Sequence, residues 1–423
     1  MAGLSASLTA LNRMRSLFQR KIAAAAGTKS HAQSIRPKSL REITTFGSNP
    51  GNLRMFAHVP VQSGPKPALV VALHGCTQSA AAYALGTGWS DLADQGGFIV
   101  VYPEQQSSNN PKNCFSWFLP TDTARASGEA LSIREMIEKA VSEFGIDQNR
   151  IFVTGLSAGG AMASVMLAAY PEVFAGGAII GGLPYGSASN VQEAFDVMFN
   201  DRAPSARALG DRVRGASKHR GPWPRISVWH GTADTIVKSS NADHIVNQWL
   251  NVQGLHREPS ELEHGARYTR RMWADRNGEP ILEFFSVTGM GHGVPLATTG
   301  QDACGAVGPF FLDAGVSATS HIARFWDLAS ETHTAPTEAY SRAAVSVPAH
   351  CAISARGQSA DAETEAEPAQ TMGSPFNPHE VIAAAFKAAG LPPPDTRGGS
   401  AGAKVDVAAI IASALQAAGL SRP

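Results

Sequence analysis

The chain has 423 residues, which suits one large domain with appended segments, because a single hydrophobic core stops growing near roughly 250–300 residues. Lysine and arginine together number 35, the same as aspartate and glutamate, so no excess of positive charge indicates a nucleic-acid partner. No apolar run approaches the roughly 18 residues of a membrane-spanning helix, and we expect no membrane span.

The N-terminal residues 1–40 are basic, and the first acidic residue of the chain is Glu42. They lack the apolar core of a secretory signal peptide, so the pattern indicates a helical or disordered segment. An organelle-type or twin-arginine-like address is the alternative reading.

Six short apolar runs follow, each typical of a buried strand: PALVVALHG, GGFIVVYPE, RIFVTG, GGAIIGGL, RISVWHG and ILEFFSVTG. Amphipathic helical patterns at residues 128–146 and 239–255 lie between some of them. The alternation predicts an α/β fold whose mostly parallel central sheet has helices on both faces. An antiparallel hairpin with its turn at residues 48–51 comes first, and a helix ending at Ala329 closes the domain. The predicted catalytic domain spans residues 41–330.

The rest of the chain has a different composition. Residues 331–376 show neither helical nor strand periodicity and are interpreted as a flexible linker. Residues 377–423 contain a repeat, because VIAAAFKAAGL at 381–391 matches IIASALQAAGL at 410–420. Each copy follows a candidate N-cap and ends at a glycine, so two short helices are predicted. Packing on the catalytic domain, docking on a polymer or partner protein, and no function all remain open for them.

Two segments match the G-x-S-x-G pattern of serine hydrolases, one around Ser157 and one around Ser400. A nucleophile of this type needs a strand, a sharp turn and then a helix, because that turn exposes the hydroxyl at the end of the sheet. Ser157 has IFVTG before it and a helical pattern after it. Ser400 has no strand before it and no histidine after it, so we predict that Ser157 is the nucleophile.

A serine hydroxyl is a weak nucleophile until a histidine takes its proton, and a carboxylate must orient that histidine. Asp234 follows the strand pattern RISVWHG, and His292 lies in a glycine-flanked loop after the next strand. Their order along the chain is that of α/β-hydrolases, so they are the predicted acid and base. The alternatives are a helix cap and an ordinary loop histidine. The fallback acids are Asp243 and Glu283, and the weaker candidates for the base are His74, His230 and His321.

Backbone amides should stabilise the oxyanion of the tetrahedral intermediate. We assign one donor to Ala158, directly after the nucleophile, and the other to Cys76 in the HGCTQ segment, with Thr77 as the neighbouring alternative. His74 either holds this loop or contacts substrate. None of the four cysteines has C-x-x-C spacing, so we predict no metal and no cofactor. Cys76 and Cys114 follow consecutive strands and are expected to lie close together.

Several segments together resemble the polyhydroxybutyrate depolymerase family of esterases, which is related to feruloyl and acetylxylan esterases: LHGCTQSAAAYALGTGWSDLADQGGFIVVYPEQ, NCFSWF, GLSAGGAMA and GMGHGVPL. The resemblance implies an α/β-hydrolase fold and a serine esterase whose nucleophile, acid and base are Ser157, Asp234 and His292. Two tryptophans of the family pattern are altered. Where the family has two tryptophans in a C-W-x-W-F stretch, this chain has Phe115 and Trp117. Val294 replaces the tryptophan of the G-x-G-H-x-W-P-G ending. We assign substrate contacts to Trp117, Thr77, Tyr185 and Val294.

The predicted function is therefore hydrolysis of ester bonds through an acyl-enzyme, acting on polyhydroxybutyrate or hydroxyalkanoate oligomers. A feruloyl or acetyl esterase of small or carbohydrate-linked esters and a non-catalytic scaffold are the alternatives. The partner is an ester substrate, either small or an insoluble polyester. Without a recognisable signal peptide, the default expectation is a cytoplasmic protein with reduced thiols. Because relatives in the family are secreted, an extracellular protein with Cys76 and Cys114 bridged is the alternative.

Overall fold

The computed structural model describes residues 40–200 and 204–329. The predicted segment at residues 1–40 lies outside the described residues except for Leu40. The predicted linker, the two tail helices and Ser400 lie entirely outside them.

One large sheet forms the centre of the described domain, and its ten strands lie in the order β1-β2-β4-β3-β5-β6-β7-β10-β9-β8. The middle strands β4, β3, β5, β6, β7 and β10 are parallel to one another. Their bounds are β1 (Arg41–Ile43), β2 (Arg54–His58), β3 (Leu69–Leu73), β4 (Ile99–Glu104), β5 (Ile151–Leu156), β6 (Gly176–Ile180), β7 (Arg225–Gly231), β8 (Glu261–His264), β9 (Tyr268–Ala274) and β10 (Pro280–Val287). All six apolar runs are strands, and the predicted mostly parallel sheet is confirmed.

The composition of the central strands explains their position. Every residue of β3, LVVAL, is buried, as is every residue of β5 and β6. A parallel strand covered on both faces needs such a continuous apolar run, whereas a half-exposed strand alternates.

The edges of the sheet are antiparallel. β1 pairs with β2 as the predicted hairpin, whose turn is closed by Asn52 N–H donating to Asn49 O at 3.0 Å. At the other edge, β9 and β8 pair antiparallel after β10. A separate parallel pair, β11 (Val294–Leu296) and β12 (Phe311–Asp313), lies outside the main sheet. Four of these strands were not predicted from the sequence, namely β8, β9, β11 and β12.

Helices cover both faces of the sheet, as predicted. They are α1 (Ala80–Thr87), α2 (Trp89–Gly96), α3 (Pro120–Thr123), α4 (Gly128–Phe144), α5 (Ala158–Ala169), α6 (Val191–Phe199), α7 (Ala206–Gly215), α8 (Ser240–Gln253) and α9 (Ala318–Phe325). The chain runs from β3 to β4 in one direction and from β5 to β10 in the other. Right-handed crossovers therefore place α1 and α2 on one face, and α4, α5 and α8 on the opposite face.

Helix ends depart from the sequence expectation by a few residues. α4 ends at Phe144, because Gly145 adopts a left-handed conformation and its N–H bonds to Val141 O. The closing helix α9 ends at Phe325 rather than at Ala329. Trp326, just beyond it, stacks on Trp89 of α2 at 5.7 Å between ring centroids, which fixes α9 on the same face as α2.

The strand order reverses between β3 and β5, the two strands whose following loops carry HGCTQ and the G-x-S-x-G serine. Open α/β sheets bind ligands at the carboxyl ends of the strands at such a reversal, because the two connecting segments leave on opposite faces and open a crevice. The fold therefore places both segments at one crevice.

Candidate active site

Ser157 occupies a strained turn between β5 and α5, with φ 82° and ψ −109°. Its N–H donates to Ile180 O at 2.9 Å. The neighbouring glycines make the turn feasible. A Cβ on Gly155 would collide with the backbone of Gly159, and a Cβ on Gly159 would collide with the carbonyl oxygen of Leu73. A non-glycine residue in such a conformation is costly and recurs at functional sites, where the surrounding structure enforces it.

A continuous hydrogen-bond chain joins the serine to a histidine and an aspartate. His292 Nε2 lies 2.9 Å from Ser157 Oγ, and His292 Nδ1 lies 2.7 Å from Asp234 Oδ2. His292 is 7% exposed and Ser157 is 8% exposed, so the contacts are shielded from water. The ionised carboxylate accepts from Nδ1–H, which leaves Nε2 as the acceptor for the serine proton.

Asp234 is held as a carboxylate by four donors. Oδ1 accepts from the backbone N–H groups of Ile236 at 2.8 Å and Val237 at 2.9 Å. Oδ2 accepts from His292 and from His230 Nε2, the latter at 3.1 Å. Burial alone would raise the pKa of Asp234, but the two histidines and these hydrogen bonds hold it far below its usual range. The carboxylate therefore stays charged at neutral pH.

The fallback acids are engaged elsewhere. Asp243 lies in α8 and pairs with Arg271 at 2.6 Å. Glu283 is buried in β10, where Ser227 Oγ donates to it at 2.7 Å and Arg270 pairs with it at 2.9 Å. Neither carboxylate contacts His292.

The weaker candidates for the base also lie apart from Ser157. His321 packs against the rings of Trp229 and Phe285, and burial lowers its pKa to about 4. His230 contacts Asp234 and donates through the same Nε2 toward Val237 O at 3.0 Å. His230 therefore supports the acid and does not face the serine.

Two backbone amides next to Ser157 are without an acceptor in the part of the chain that the structure describes. They belong to Ala158, the first residue of α5, and to Cys76 in the loop after β3. The amide at a helix N-terminus also carries the positive end of the helix dipole, which favours a negative charge there. The neighbouring alternative, Thr77, is wrong as a donor, because its N–H already donates to Lys112 O at 2.6 Å.

His74 holds the loop that carries the Cys76 amide. It is wholly buried, so it is not a substrate contact. Its Nε2 accepts from Gln105 N–H at 3.0 Å, so Nδ1 carries the proton and donates to Gly75 O at 2.8 Å. Burial lowers the pKa of His74 to about 4, so the ring is neutral. The Gly75 carbonyl and the Cys76 N–H belong to one planar peptide, and fixing the first orients the second.

Cys76 and Cys114 form a disulfide bond, with 4.3 Å between their Cα atoms. Their predicted proximity is confirmed, and the default expectation of reduced thiols is wrong. The bridge ties the Cys76 backbone to the segment after β4. Cys304 is a free thiol.

A cleft with about 250 Å³ of empty space, including the part that is open to solvent, lies over the serine. It is lined by Gly75, Cys76, Gln78, Leu156, Ser157, Ile236, His292 and Phe310. Four of these lining residues were not predicted from the sequence, namely Gln78, Leu156, Ile236 and Phe310. HGCTQ offered a signal for Gln78, whereas Phe310 comes from a distant segment without a motif.

The four predicted substrate contacts do not line this cleft. Val294 is wrong as a contact, because it is wholly buried in β11 and pairs with Phe311 of β12. Trp117 is 7% exposed and packs edge-on against Phe118. Thr77 is exposed outside the cleft, and the backbone of Tyr185 bonds to Gln248.

Neither a metal site nor a membrane span is found in the described ranges. Among residues 40–200 and 204–329, no three His, Cys, Asp or Glu side chains are grouped to hold a metal ion. No helix within these ranges is long and apolar enough to cross a membrane.

A nucleophile turn after a central strand, with an acid and a histidine in the loops after later strands of a mostly parallel sheet, defines an α/β-hydrolase. A sequence profile described as esterase PHB depolymerase matches residues 59–269. Poly(3-hydroxyalkanoate) depolymerase C of Paucimonas lemoignei is 41% identical over 327 residues, which are 77% of this chain and 79% of that protein. The chain belongs to the esterase PHB depolymerase family, and it is a carboxylic ester hydrolase.

Two further comparisons agree with this family. Feruloyl esterase B of Talaromyces stipitatus is 32% identical over 270 residues, which are 61% of this chain and 73% of that protein. The structure of the acetyl xylan esterase from Aspergillus awamori superposes with a TM-score of 0.59 at 26% identity, over 69% of this chain and 100% of that chain.

Proposed function

We propose that the protein hydrolyses esters through an acyl-enzyme on Ser157. The observation that carries this proposal is the unbroken chain from Ser157 Oγ through His292 to Asp234. His292 Nε2 takes the hydroxyl proton while Oγ attacks the ester carbonyl carbon. The oxyanion that forms accepts from the amides of Cys76 and Ala158, and the ionised Asp234 stabilises the imidazolium.

The same groups complete the cycle. His292 gives its proton to the leaving alkoxide, so the alcohol departs and the acyl group stays on Ser157. A water molecule then loses a proton to His292 Nε2 and attacks the acyl carbonyl through a second oxyanion. Collapse of that intermediate returns the proton to Ser157 Oγ and releases the acid.

We further propose hydroxyalkanoate oligomers or polyhydroxybutyrate as the substrate. The Paucimonas relative acts on poly(3-hydroxyalkanoate) by name and matches over more of this chain than the feruloyl esterase does. The cleft agrees, because its walls at Leu156, Ile236 and Phe310 are apolar. A feruloyl or acetyl esterase activity is the second candidate, supported by the likeness to those esterases.

A substrate profile tests this choice. Turnover of 3-hydroxybutyrate oligomers, methyl ferulate and acetylated xylan would be compared at equal enzyme concentration, with Ser157→Ala as the blank. We expect the highest kcat/KM for the hydroxybutyrate oligomers. A higher kcat/KM for methyl ferulate or acetylated xylan would contradict the substrate and leave the mechanism standing.

We propose that the protein works outside the cytoplasm. The Cys76–Cys114 disulfide supports this, because disulfides persist in oxidising compartments and are rare in the reducing cytosol. The protein would also encounter an insoluble polyester outside the cell. The test is the fraction of the protein recovered from the growth medium of its source cells, and recovery from the cell interior alone would contradict the proposal.

A further inference from the structure

Gln78 lines the catalytic cleft and has one end of its side-chain amide without a partner. The residue is 7% exposed. Its Oε1 accepts from Gly75 N–H at 2.8 Å, whereas its Nε2 is buried and has no acceptor among the described residues. Buried amide donors are paired in most proteins, so an unpaired one at a substrate cleft requires an explanation.

The hydrogen bonds around Gly75 determine which way the amide is turned. Gly75 N–H is a donor, so the atom that faces it must be the carbonyl oxygen, and Nε2 takes the other position. The backbone N–H of Gln78 closes the turn by donating to Gly75 O at 3.3 Å, the same carbonyl that His74 holds. The amide therefore cannot flip without breaking a bond in the loop that carries the Cys76 amide.

The rest of the cleft gives the chemistry of the missing acceptor. Apart from Gln78, the side chains that line it are Ser157, His292 and the apolar or bridged residues Cys76, Leu156, Ile236 and Phe310. No lysine or arginine lines it within the described ranges, so the cleft offers a neutral donor among apolar walls. Such a site suits an uncharged oxygen on a largely apolar acyl group.

We propose that Gln78 Nε2 donates a hydrogen bond to an oxygen of the acyl group beyond the scissile ester, namely the ester oxygen or carbonyl on carbon 3 of a 3-acyloxyacyl chain. This inference rests on the proposed function and adds a residue that selects its substrate. The oxyanion has its own donors in Cys76 and Ala158, so Gln78 recognises substrate rather than the reacting carbonyl.

A pair of matched esters separates recognition from damage to the loop. 4-Nitrophenyl 3-acetoxybutanoate carries the second ester, and 4-nitrophenyl 3-methylhexanoate has the same chain length without any oxygen beyond the scissile ester. The readout is kcat/KM for the 3-acetoxybutanoate ester divided by kcat/KM for the 3-methylhexanoate ester. A distorted loop lowers both values together, whereas a lost contact to the second ester lowers the ratio.

Two substitutions remove the donor in different ways. Gln78→Met removes the whole amide, and Gln78→Glu keeps an oxygen for Gly75 N–H but places a second oxygen where Nε2 stood. Ser79→Ala is the control, because it removes the N-cap of α1 beside Gln78 and leaves the amide intact. We expect both Gln78 variants to lower the ratio about fivefold to tenfold, as for one neutral hydrogen bond, and Ser79→Ala to leave it unchanged.

An unchanged ratio in the folded Gln78 variants overturns the inference, whether or not overall activity falls. If the ratio is unchanged because activity falls equally for both esters, Gln78 only supports the loop that carries the Cys76 amide. Ser157→Ala, measured with the same esters, reports on the proposed function separately. Turnover by that variant within a few-fold of the wild type would contradict the mechanism without changing what the ratio says about Gln78.

Discussion

At the residue scale, the candidate site depends on buried groups whose charge is controlled by their neighbours. Asp234 is kept ionised by four donors, including a second histidine, His230. His74 is kept neutral by burial and orients the peptide that carries the Cys76 amide. The site thus needs Asp234 in its ionised form and His74 in its neutral form.

Replacing the acid with its amide tests the first of these roles. In Asp234→Asn, a side-chain NH₂ can donate to His292 Nδ1, so the ring proton moves to Nε2. A protonated Nε2 cannot accept the proton of Ser157. We expect kcat to fall by about 10⁴-fold, the loss typical of this change in a serine triad. Asp243→Asn is the matched control and should retain its activity, because Asp243 pairs with Arg271. Equal losses in the two variants would contradict the assignment.

Glu129 predicts a pH dependence of stability. Burial raises its pKa to about 7, against the opposing hydrogen bonds from Ser116 and Gln105. Between 4.5, the ordinary pKa of a glutamate, and about 7, the unfolded chain loses this proton and the folded protein keeps it, so rising pH destabilises the fold. Relative to Glu129→Gln, the wild type should lose about 3 kcal/mol of unfolding free energy over that window.

Urea denaturation of both proteins at a series of pH values between 4.5 and 7 measures this difference. Any constant offset from the altered hydrogen bonds cancels, because the prediction concerns the change with pH. A difference that does not vary with pH would show that Glu129 has an ordinary pKa.

At the element scale, the sequence predicts what continuous patterns encode. The fully buried strands β3, β5 and β6 are recognisable because each is an unbroken apolar run. β9, YTRRMWA, is not recognisable because two arginines interrupt its apolar pattern. They lie in a partly exposed strand beside the edge strand β8 and pair with acids such as Glu283. The short β11 and β12 carry too few residues for any periodicity.

The same distinction applies to the site. Ser157, Asp234 and His292 are predictable because each follows a recognisable strand in a known order, and the structure places them in contact. Phe310 reaches the cleft only through the way in which a distant loop folds, so no local pattern marks it. Ile236 lies in the loop of Asp234 itself, but that motif predicted only the acid. Val294 shows the reverse error, because its motif position predicts a substrate contact although its side chain is buried.

The disulfide between the loops after β3 and β4 should support both stability and activity. It closes a loop with a sequence separation of 38 residues, which by chain entropy stabilises the fold by about 4 kcal/mol. It also fixes the Cys76 backbone, whose amide is a proposed oxyanion donor. We therefore expect reduction, or the double substitution Cys76→Ser and Cys114→Ser, to lower both the unfolding temperature and kcat.

Cys304→Ser is the matched control, since Cys304 is a free thiol and does not line the cleft. Reduction should lower the unfolding temperature and kcat of this variant as much as those of the wild type. Thermal unfolding and kcat for 4-nitrophenyl butanoate would be measured with and without reductant. A bridged and a reduced wild type of equal kcat would contradict a role for the bridge in the oxyanion loop.

At the scale of the whole molecule, the described domain contains every group of the proposed mechanism, and the repeated segments at residues 381–391 and 410–420 belong to a separate part of the sequence. Short sequence repeats with apolar residues at helical spacing, in one chain with a depolymerase-like domain, suit contact with an apolar surface. From the repeat, we propose that residues 377–423 act in adsorption to an insoluble polyester.

Truncation after residue 330 tests this separation. We expect unchanged kcat/KM for small soluble esters, because every described residue that lines the cleft precedes the cut. We also expect weaker adsorption to polyhydroxybutyrate granules. The bound fraction after centrifugation with granules is the measurement. Equal adsorption of the two proteins would remove the docking proposal, and a truncated protein that does not fold would show that the segment packs on the catalytic domain.

The central claim is that Ser157, and not the second G-x-S-x-G serine, forms the acyl-enzyme. The most direct measurement compares turnover of hydroxybutyrate oligomers and 4-nitrophenyl butanoate by the wild type, Ser157→Ala and Ser400→Ala, with circular dichroism to verify folding. We expect Ser157→Ala to stay folded and lose about 10⁴–10⁶ in kcat, and Ser400→Ala to match the wild type. A folded Ser157→Ala that retains turnover within a few-fold of the wild type would contradict the account.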